Sequence, residues 1–168
     1  MSANVPEGYS TINPFVITKD AIKFMEFLKE VFGAKEHKEA YTMDTDGLLL
    51  HAELRIGNST VMIADTKEGW PFTPSLLQIY VEDVEKTLKR AEELGAKIVT
   101  KPTNFYGDIF SRFVDSWDNL WWVYQHSGES TWEETTDTDN NETWDTESSE
   151  LDYIHDTLLE TMKRLGKK

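Results

Sequence analysis

The 168-residue chain predicts an α+β fold of two βαβββ modules followed by a C-terminal amphipathic helix, and three observations carry that reading. A strand, an acidic helix start and a glycine stop occur twice: Phe15 to Asp20 leads through a helical stretch to Gly33, and Ile79 to Asp83 leads through another to Gly95. Each helical stretch precedes three strand-like segments. Near the end, Leu151, Ile154, Leu158, Leu159, Met162 and Leu165 recur at helical spacing. Two copies are too few for a solenoid, so the modules are expected to pair into one core with a cleft between them, where function should be sought.

In the first module, about residues 10–65, Ser10 to Ile17 reads as a strand. Asp20 to Phe32 reads as a helix with Ile22, Met25, Phe27, Leu28, Val31 and Phe32 forming a broad apolar stripe. Ala40 to Met43 and Leu48 to Ile56 are strands joined around Asp44 to Gly47, and Gly57-Asn58 turns the chain into the strand Thr60 to Asp65. Gly69, Pro71 and Pro74 then interrupt the pattern.

The second module, about residues 75–126, begins with the strand Ser75 to Val81 and the helix Val84 to Leu94, whose Leu88, Ala91 and Leu94 turn inward. Ile98 to Thr100, Ile109 to Val114 and Leu120 to His126 supply three more strands. Pro102 to Gly107 and Ser116 to Asn119 serve as separators.

Composition removes several function classes. There is no Cys, which excludes disulfides, thiolate nucleophiles and Cys-ligated zinc. The formal charge is −14, and nine acidic residues from Glu129 to Glu150 lie in a stretch without Lys or Arg. That excess repels phosphate backbones and anionic lipid surfaces, so neither nucleic acid nor membrane is an expected partner. No apolar run is long enough to span a bilayer, and Met1 to Glu7 lacks the regions of a signal peptide, so the cytoplasm is the expected compartment.

Period-two alternation in Leu48 to Ile56 puts Leu48, Leu50, Ala52, Leu54 and Ile56 on one face, expected to pack on the helix. Leu49, His51, Glu53 and Arg55 fall on the other. His51 and Glu53 thereby become candidates for the cleft, the alternative being an ordinary solvated strand face.

Several motifs then resemble the vicinal oxygen chelate superfamily of glyoxalases, bleomycin-resistance proteins and extradiol dioxygenases, in particular its PhnB-like branch. They are Thr11 to Phe15, Phe27 to Gly33, His51 to Ser59, and Phe105 to Asp108 followed by Asp115 and Trp121-Trp122, within residues 8 to 126. The resemblance implies that the two modules curl into an open, cleft-bearing mixed barrel (a glyoxalase-like domain over residues 1–126) and that the protein is a homodimer. It also implies divalent-metal donors on the first and last strands of each module. Counted from Asp20 and Asp83, those positions fall near Asn13, Leu76, Met62 or Ile63, and Trp122. None is a good metal ligand, so no metal and no other cofactor is expected. The alternative is a relocated metal site drawn from His51, Glu53, Asp65, Gln78 and His126, whose spacing alone does not bring them together.

The alignment to the superfamily turns Trp122 inward, and alternation carries Tyr124 and His126 with it. Phe15 and Tyr80 join them as aromatic walls, Asn13, His51, Glu53 and Gln78 add hydrogen-bonding groups, and Tyr106 sits at the cleft mouth. Simple filling of the barrel is the competing account of these aromatics. The branch's Asp-Pro-Phe-Gly-His turn is replaced by Asp115 to Asn119, and its Arg and small Ser-Gly pair by Ile109 to Ser111, so inherited catalysis is not expected to carry over.

Residues 127–148 are acidic and rich in Thr, Ser and Asn, with Trp132 and Trp144 the only large apolar groups, and read as a flexible linker. Residues 149–168 read as a helix with a basic end at Lys163-Arg164. Its apolar stripe needs a surface: the home domain, a dimer partner or another protein. Three function classes follow. The first is metal-independent sequestration or sensing of a small, partly apolar or aromatic molecule. The second is an enzyme of lyase, isomerase or dioxygenase type using a displaced metal or His51 with Glu53 as an acid–base pair. The third is a protein-interaction module using the acidic tail and terminal helix.

Overall fold

A computed structural model describes residues 5–128 and 149–165, and the chain divides into two units, Met1–Ser75 and Leu76–Lys168. The expected linker lies, from residue 129 to 148, outside the described residues.

The first unit runs β1 (Phe15–Thr18), α1 (Ala21–Phe32), β2 (Lys35–Glu36), a 3₁₀ turn (Lys38–Ala40), β3 (Thr42–Met43), β4 (Leu49–Ile56) and β5 (Ser59–Asp65). Its sheet has the order β1-β5-β4-β2, with β3 also pairing β4. The first strand lies parallel to the last and the others are antiparallel. The second unit repeats this plan with β6 (Leu76–Tyr80), α2 (Val84–Glu93), β7 (Lys97–Phe105), β8 (Asp108–Val114) and β9 (Leu120–Gln125) in the order β6-β9-β8-β7. Here too the first strand pairs in parallel with the last. Each unit is therefore an α+β module with one open mixed sheet, as the repeated sequence pattern predicts.

Several local expectations are corrected. The first strand starts at Phe15 rather than Ser10, because Asn13 accepts from the Ser10 main-chain N–H at 2.9 Å and donates to its carbonyl at 2.7 Å, folding that stretch into a turn. Asp20 does not cap α1 with its side chain; it adopts φ 51° and ψ 48°. Asp65 takes that role, its Oδ1 accepting from Ala21 N at 2.8 Å. In the second module Asp83 does cap α2, accepting from Lys86 N at 2.9 Å. The buried face of α1 consists of Ala21, Phe24, Met25, Phe27 and Leu28, while Ile22 is exposed.

The alternation along β4 holds for Ala52 and Leu54, which are buried in the core with Val61 and Ile63, and fails at its start. Leu49 is buried and Leu50 is 48% exposed. The cause is a register shift: Thr42 pairs with His51 but Met43 with Leu49, leaving Leu50 as the extra residue of a bulge. The Asp65 Oδ2 accepts from Leu49 N at 2.8 Å, which holds the displaced backbone.

The separator expected from Pro102 to Gly107 is mostly strand. β7 continues to Phe105 through two register shifts, one of them spanning Pro102, and it lies at the sheet edge, where a missing N–H is tolerated. Only Tyr106 and Gly107 form the turn, with φ of 50° and 88°, the positive values that a two-residue hairpin of primed type requires.

The C-terminal segment is α3 (Ser149–Leu165), and it packs on β7 of its own unit. Among the described residues no helix is long and apolar enough to cross a membrane.

Candidate functional site

The first unit gathers polar groups around one carboxylate. On the sheet face opposite Ala52 and Leu54, the register sets Phe15 beside Met62 and Met62 beside Glu53. Glu53 is 7% exposed. Its Oε1 pairs with His51 Nε2 at 3.1 Å, and its Oε2 accepts from the Tyr9 hydroxyl and pairs with His37 Nδ1 at 3.4 Å. Phe15 meets the His51 ring edge-on, with centroids 6.0 Å apart and planes at 80°. Tyr9 is brought there by Gly8, whose carbonyl accepts from Thr60 Oγ1 at 2.6 Å and from the Arg55 guanidinium. A side chain at Gly8 would stand 2.9 Å from that guanidinium.

Burial pushes the Glu53 carboxyl up, but the hydrogen bonds from Tyr9, His51 and His37 outweigh it and hold the group below the ordinary carboxylate value. The same bond to Glu53 raises the Tyr9 hydroxyl. An ionised, buried carboxylate beside an imidazole can orient the ring and stabilise its protonated form, the elementary unit of acid–base chemistry.

The second unit carries an aromatic bed. Alternation places Gln78, Trp122 and Arg112 in one row across β6, β9 and β8, and Tyr80, Tyr124 and Phe110 in the next. Tyr124 lies 5.5 Å from Tyr80 and 5.0 Å from Phe110 by ring centroid, and Phe105 closes on Phe110 at 5.7 Å. The Arg112 guanidinium, in a side chain 2% exposed, sits 4.5 Å from the Phe110 centroid and 4.2 Å from that of Trp122. Its Nη1 donates to the Ile154 carbonyl of α3 at 2.7 Å and to Thr100 Oγ1 at 3.3 Å. Among the described residues no carboxylate pairs with it, and burial lowers its pKa to about 10. Arg112 Nε and Trp122 Nε1 are both buried and, among the described residues, without a hydrogen-bond partner.

The face bearing this bed is covered in part by the chain's own terminal helix. Ile154 packs with Phe110 and Tyr124, and Leu165 with Val114 and Leu120. Thr157 bonds Thr100 between hydroxyls at 2.8 Å, and the Tyr153 hydroxyl accepts from Lys101 N at 2.9 Å. On the β6 side Tyr80 remains exposed. A groove of ≈ 530 Å³ runs along the α3–β7 seam, lined by Ile98, Val99 and Thr157 with the polar Glu160, Lys163 and Arg164. It does not include the aromatic rows.

The structure thus brings together Phe15, His51 and Glu53 in the first unit and Gln78, Tyr80, Trp122 and Tyr124 in the second. It sets three other residues apart. Asn13 is spent on its turn. Tyr106 is exposed in the β7–β8 hairpin, against Phe105 at 4.8 Å. His126 lies past the end of β9 and pairs with Asp108 at 2.8 Å. Asp65 is likewise committed to main-chain N–H groups rather than to a site.

Sequence reasoning missed Tyr9, His37, Phe110 and Arg112. A hairpin centred on Ser116 to Asn119 would have set Val114 opposite Leu120, hence Arg112 opposite Trp122 and Phe110 opposite Tyr124. No periodic signal marks Tyr9 or His37.

The positions where the superfamily resemblance implies metal donors hold a turn Asn, Leu76, Met62 or Ile63, and Trp122. A thioether, aliphatic groups and an indole do not form a donor set for a divalent ion. The residues present do not fit that group.

Two mixed sheets, each with its first strand parallel to its last and a helix between its first two strands, define a chain of glyoxalase type. The Glyoxalase/Bleomycin resistance protein/Dioxygenase superfamily pattern matches residues 11–123, and the chain belongs to that family. It is 29% identical over 133 residues to the uncharacterized protein Mb0911c of Mycobacterium bovis, covering 72% of this chain and 84% of that one. The fold is shared with TioX from Micromonospora sp. ML1, at TM-score 0.54 and 22% identity over 73% of this chain and 100% of the other. It is shared also with the fosfomycin resistance protein FosX from Listeria monocytogenes, solved with Mn(II) and sulfate ion, at TM-score 0.51 and 20% identity over 69% and 91% of the two chains. The matched residues end at 123, before α3.

Proposed function

We propose that this protein binds a small, partly apolar or aromatic molecule without a metal, to sequester or sense it, as a cytoplasmic homodimer closest to the PhnB-like branch of its superfamily. The observation that carries the reading is the aromatic bed of Tyr80, Phe110, Trp122 and Tyr124 beside the hydrogen-bonding Gln78. Flat apolar walls with a few fixed polar groups suit a planar ligand. The mismatch at the superfamily's metal positions favours recognition over metal-assisted turnover.

An equilibrium screen of planar metabolites and antibiotics, run with and without a chelator, tests this. The expected ligand binds equally in both and loses about 1–3 kcal/mol on Trp122→Ala. A ligand that requires added divalent ion, or one indifferent to Trp122, overturns it.

A second reading has its own observation: the His51–Glu53–Tyr9–His37 cluster is an acid–base assembly in miniature. Metal-free turnover of a screened compound, abolished by both His51→Ala and Glu53→Gln, would favour an isomerase or lyase. Recruitment of a protein partner through α3 is less supported, since Ile154 and Leu165 are occupied on the sheet, leaving Leu159 and Met162 exposed.

A further inference from the structure

Arg112 is an expensive residue in its position. It is a cation 2% exposed, set over the faces of two aromatic rings with no carboxylate beside it among the described residues. A buried ion is normally paired or replaced by an apolar group, because desolvation costs several kcal/mol. Here the guanidinium is met by a neutral main-chain carbonyl, that of Ile154, and by the Thr100 hydroxyl. Among the described residues its Nε is left without a partner. So is the indole Nε1 of Trp122, the residue opposite Arg112 in the β8–β9 register and stacked against it. Two adjacent orphan donors, one of them cationic, call for the same thing, an anionic acceptor.

What meets Arg112 and Trp122 on this face is α3, through the Ile154 carbonyl and Leu165, and α3 is not an ideal cover. Ile154 lies inside the helix, where its carbonyl also accepts from Thr157 Oγ1 at 3.1 Å, so Arg112 shares an acceptor already in use. The helix buries few residues on the sheet, namely Ile154, Thr161 and Leu165, while Leu159 and Met162 stay exposed. Beside it the face is open at Tyr80, which leads to the Gln78–Trp122–Arg112 row.

We propose that the α3-covered face of the second unit is a binding site for an aromatic oxyanion, a planar molecule bearing a carboxylate, sulfonate or phosphate. Arg112 and the Trp122 N–H take the anionic group, and the rings of Phe110, Tyr124 and Tyr80 take the plane. The main chain of α3 at Ile154 occupies the Arg112 donor when no such ligand is bound, so ligand and helix compete. This deepens the small-molecule reading and rests on it.

The test uses the full chain with two probes, the fluorescent anion anilinonaphthalene sulfonate and its sulfonate-free parent, phenylnaphthylamine. The expected result is tighter binding of the sulfonate, weakened about ten-fold or more by Arg112→Met, with phenylnaphthylamine changed by less than about two-fold. Leu158→Ala, which loosens α3 without touching the donors, is expected to tighten the sulfonate about three-fold or more and to leave Arg112 dependence intact. Hydrogen exchange in α3 should accelerate on saturation with the sulfonate. Circular dichroism of Arg112→Met guards against loss of fold; if that variant folds poorly, Arg112→Lys takes its place and should weaken the sulfonate relative to wild type while leaving phenylnaphthylamine unchanged, and equal effects on the two probes overturn the anion site. Equal binding of both probes, weakened by Trp122→Ala but not by Arg112→Met, overturns the anion site and leaves the aromatic pocket standing. No binding of either probe to wild type or Leu158→Ala overturns both. Sulfonate binding that slows exchange in α3 overturns the competition.

Discussion

The Asp65 carboxylate accepts the Ala21 main-chain N–H at 2.8 Å, so α1 is capped from the last strand of its module and not from Asp20, the residue before it. Its other oxygen holds Leu49 N, which ties the helix start, the β4 bulge and the end of β5 to one side chain. Asp65 is buried, so both N–H groups depend on it.

Removing that carboxylate should therefore be costly. Asp65→Ala leaves two buried donors unpaired and is expected to lower unfolding free energy by about 2–4 kcal/mol in urea. Asp20→Gly, at a position already left-handed, should change it by less than about 0.5 kcal/mol or stabilise. Equal losses would mean that α1 is capped locally after all.

Glu53 predicts an acid-labile contribution. Its folded pKa lies below its unfolded value, because the bonds from Tyr9, His51 and His37 outweigh burial. The sign follows: the contribution is present above the unfolded carboxylate pKa and is lost as pH falls through the folded one. Stability measured from about pH 6 down to about pH 3 should fall less steeply in Glu53→Gln than in wild type. Parallel slopes would show that the cluster is not coupled to folding.

Asp115 organises the β8–β9 hairpin and behaves oppositely. It accepts from Trp117 N and Asn119 N at 2.9 Å each, from Trp121 Nε1 at 2.9 Å and from Asn119 Nδ2 at 3.0 Å. Asp115→Ala should cost about 2–4 kcal/mol by removing the buried acceptor that these donors share, and should blue-shift or quench Trp121 fluorescence differently from Trp122→Ala. Burial pushes this carboxyl up, so its protonated form favours folding below the unfolded pKa and that favour is lost as pH rises through the folded one. A loss below about 0.5 kcal/mol would sink the hairpin role.

The amino-acid sequence by itself determined the βαβββ duplication, the strands around Trp122 and Tyr124, the Asp83 cap and the terminal helix, since these rest on periodicity and on residues adjacent in the chain. It also placed His51 beside Glu53, two residues apart on one strand face. It misjudged Leu49 and Leu50, because one bulge residue reverses a period-two pattern and nothing in composition marks where it falls. Only the tertiary structure decided that Tyr9 and His37 close on Glu53, that Asp65 serves a helix 44 residues away, and that α3 lies against Arg112. Those contacts join groups distant in sequence, and they exist because buried donors and charges must find partners wherever the packed chain supplies them.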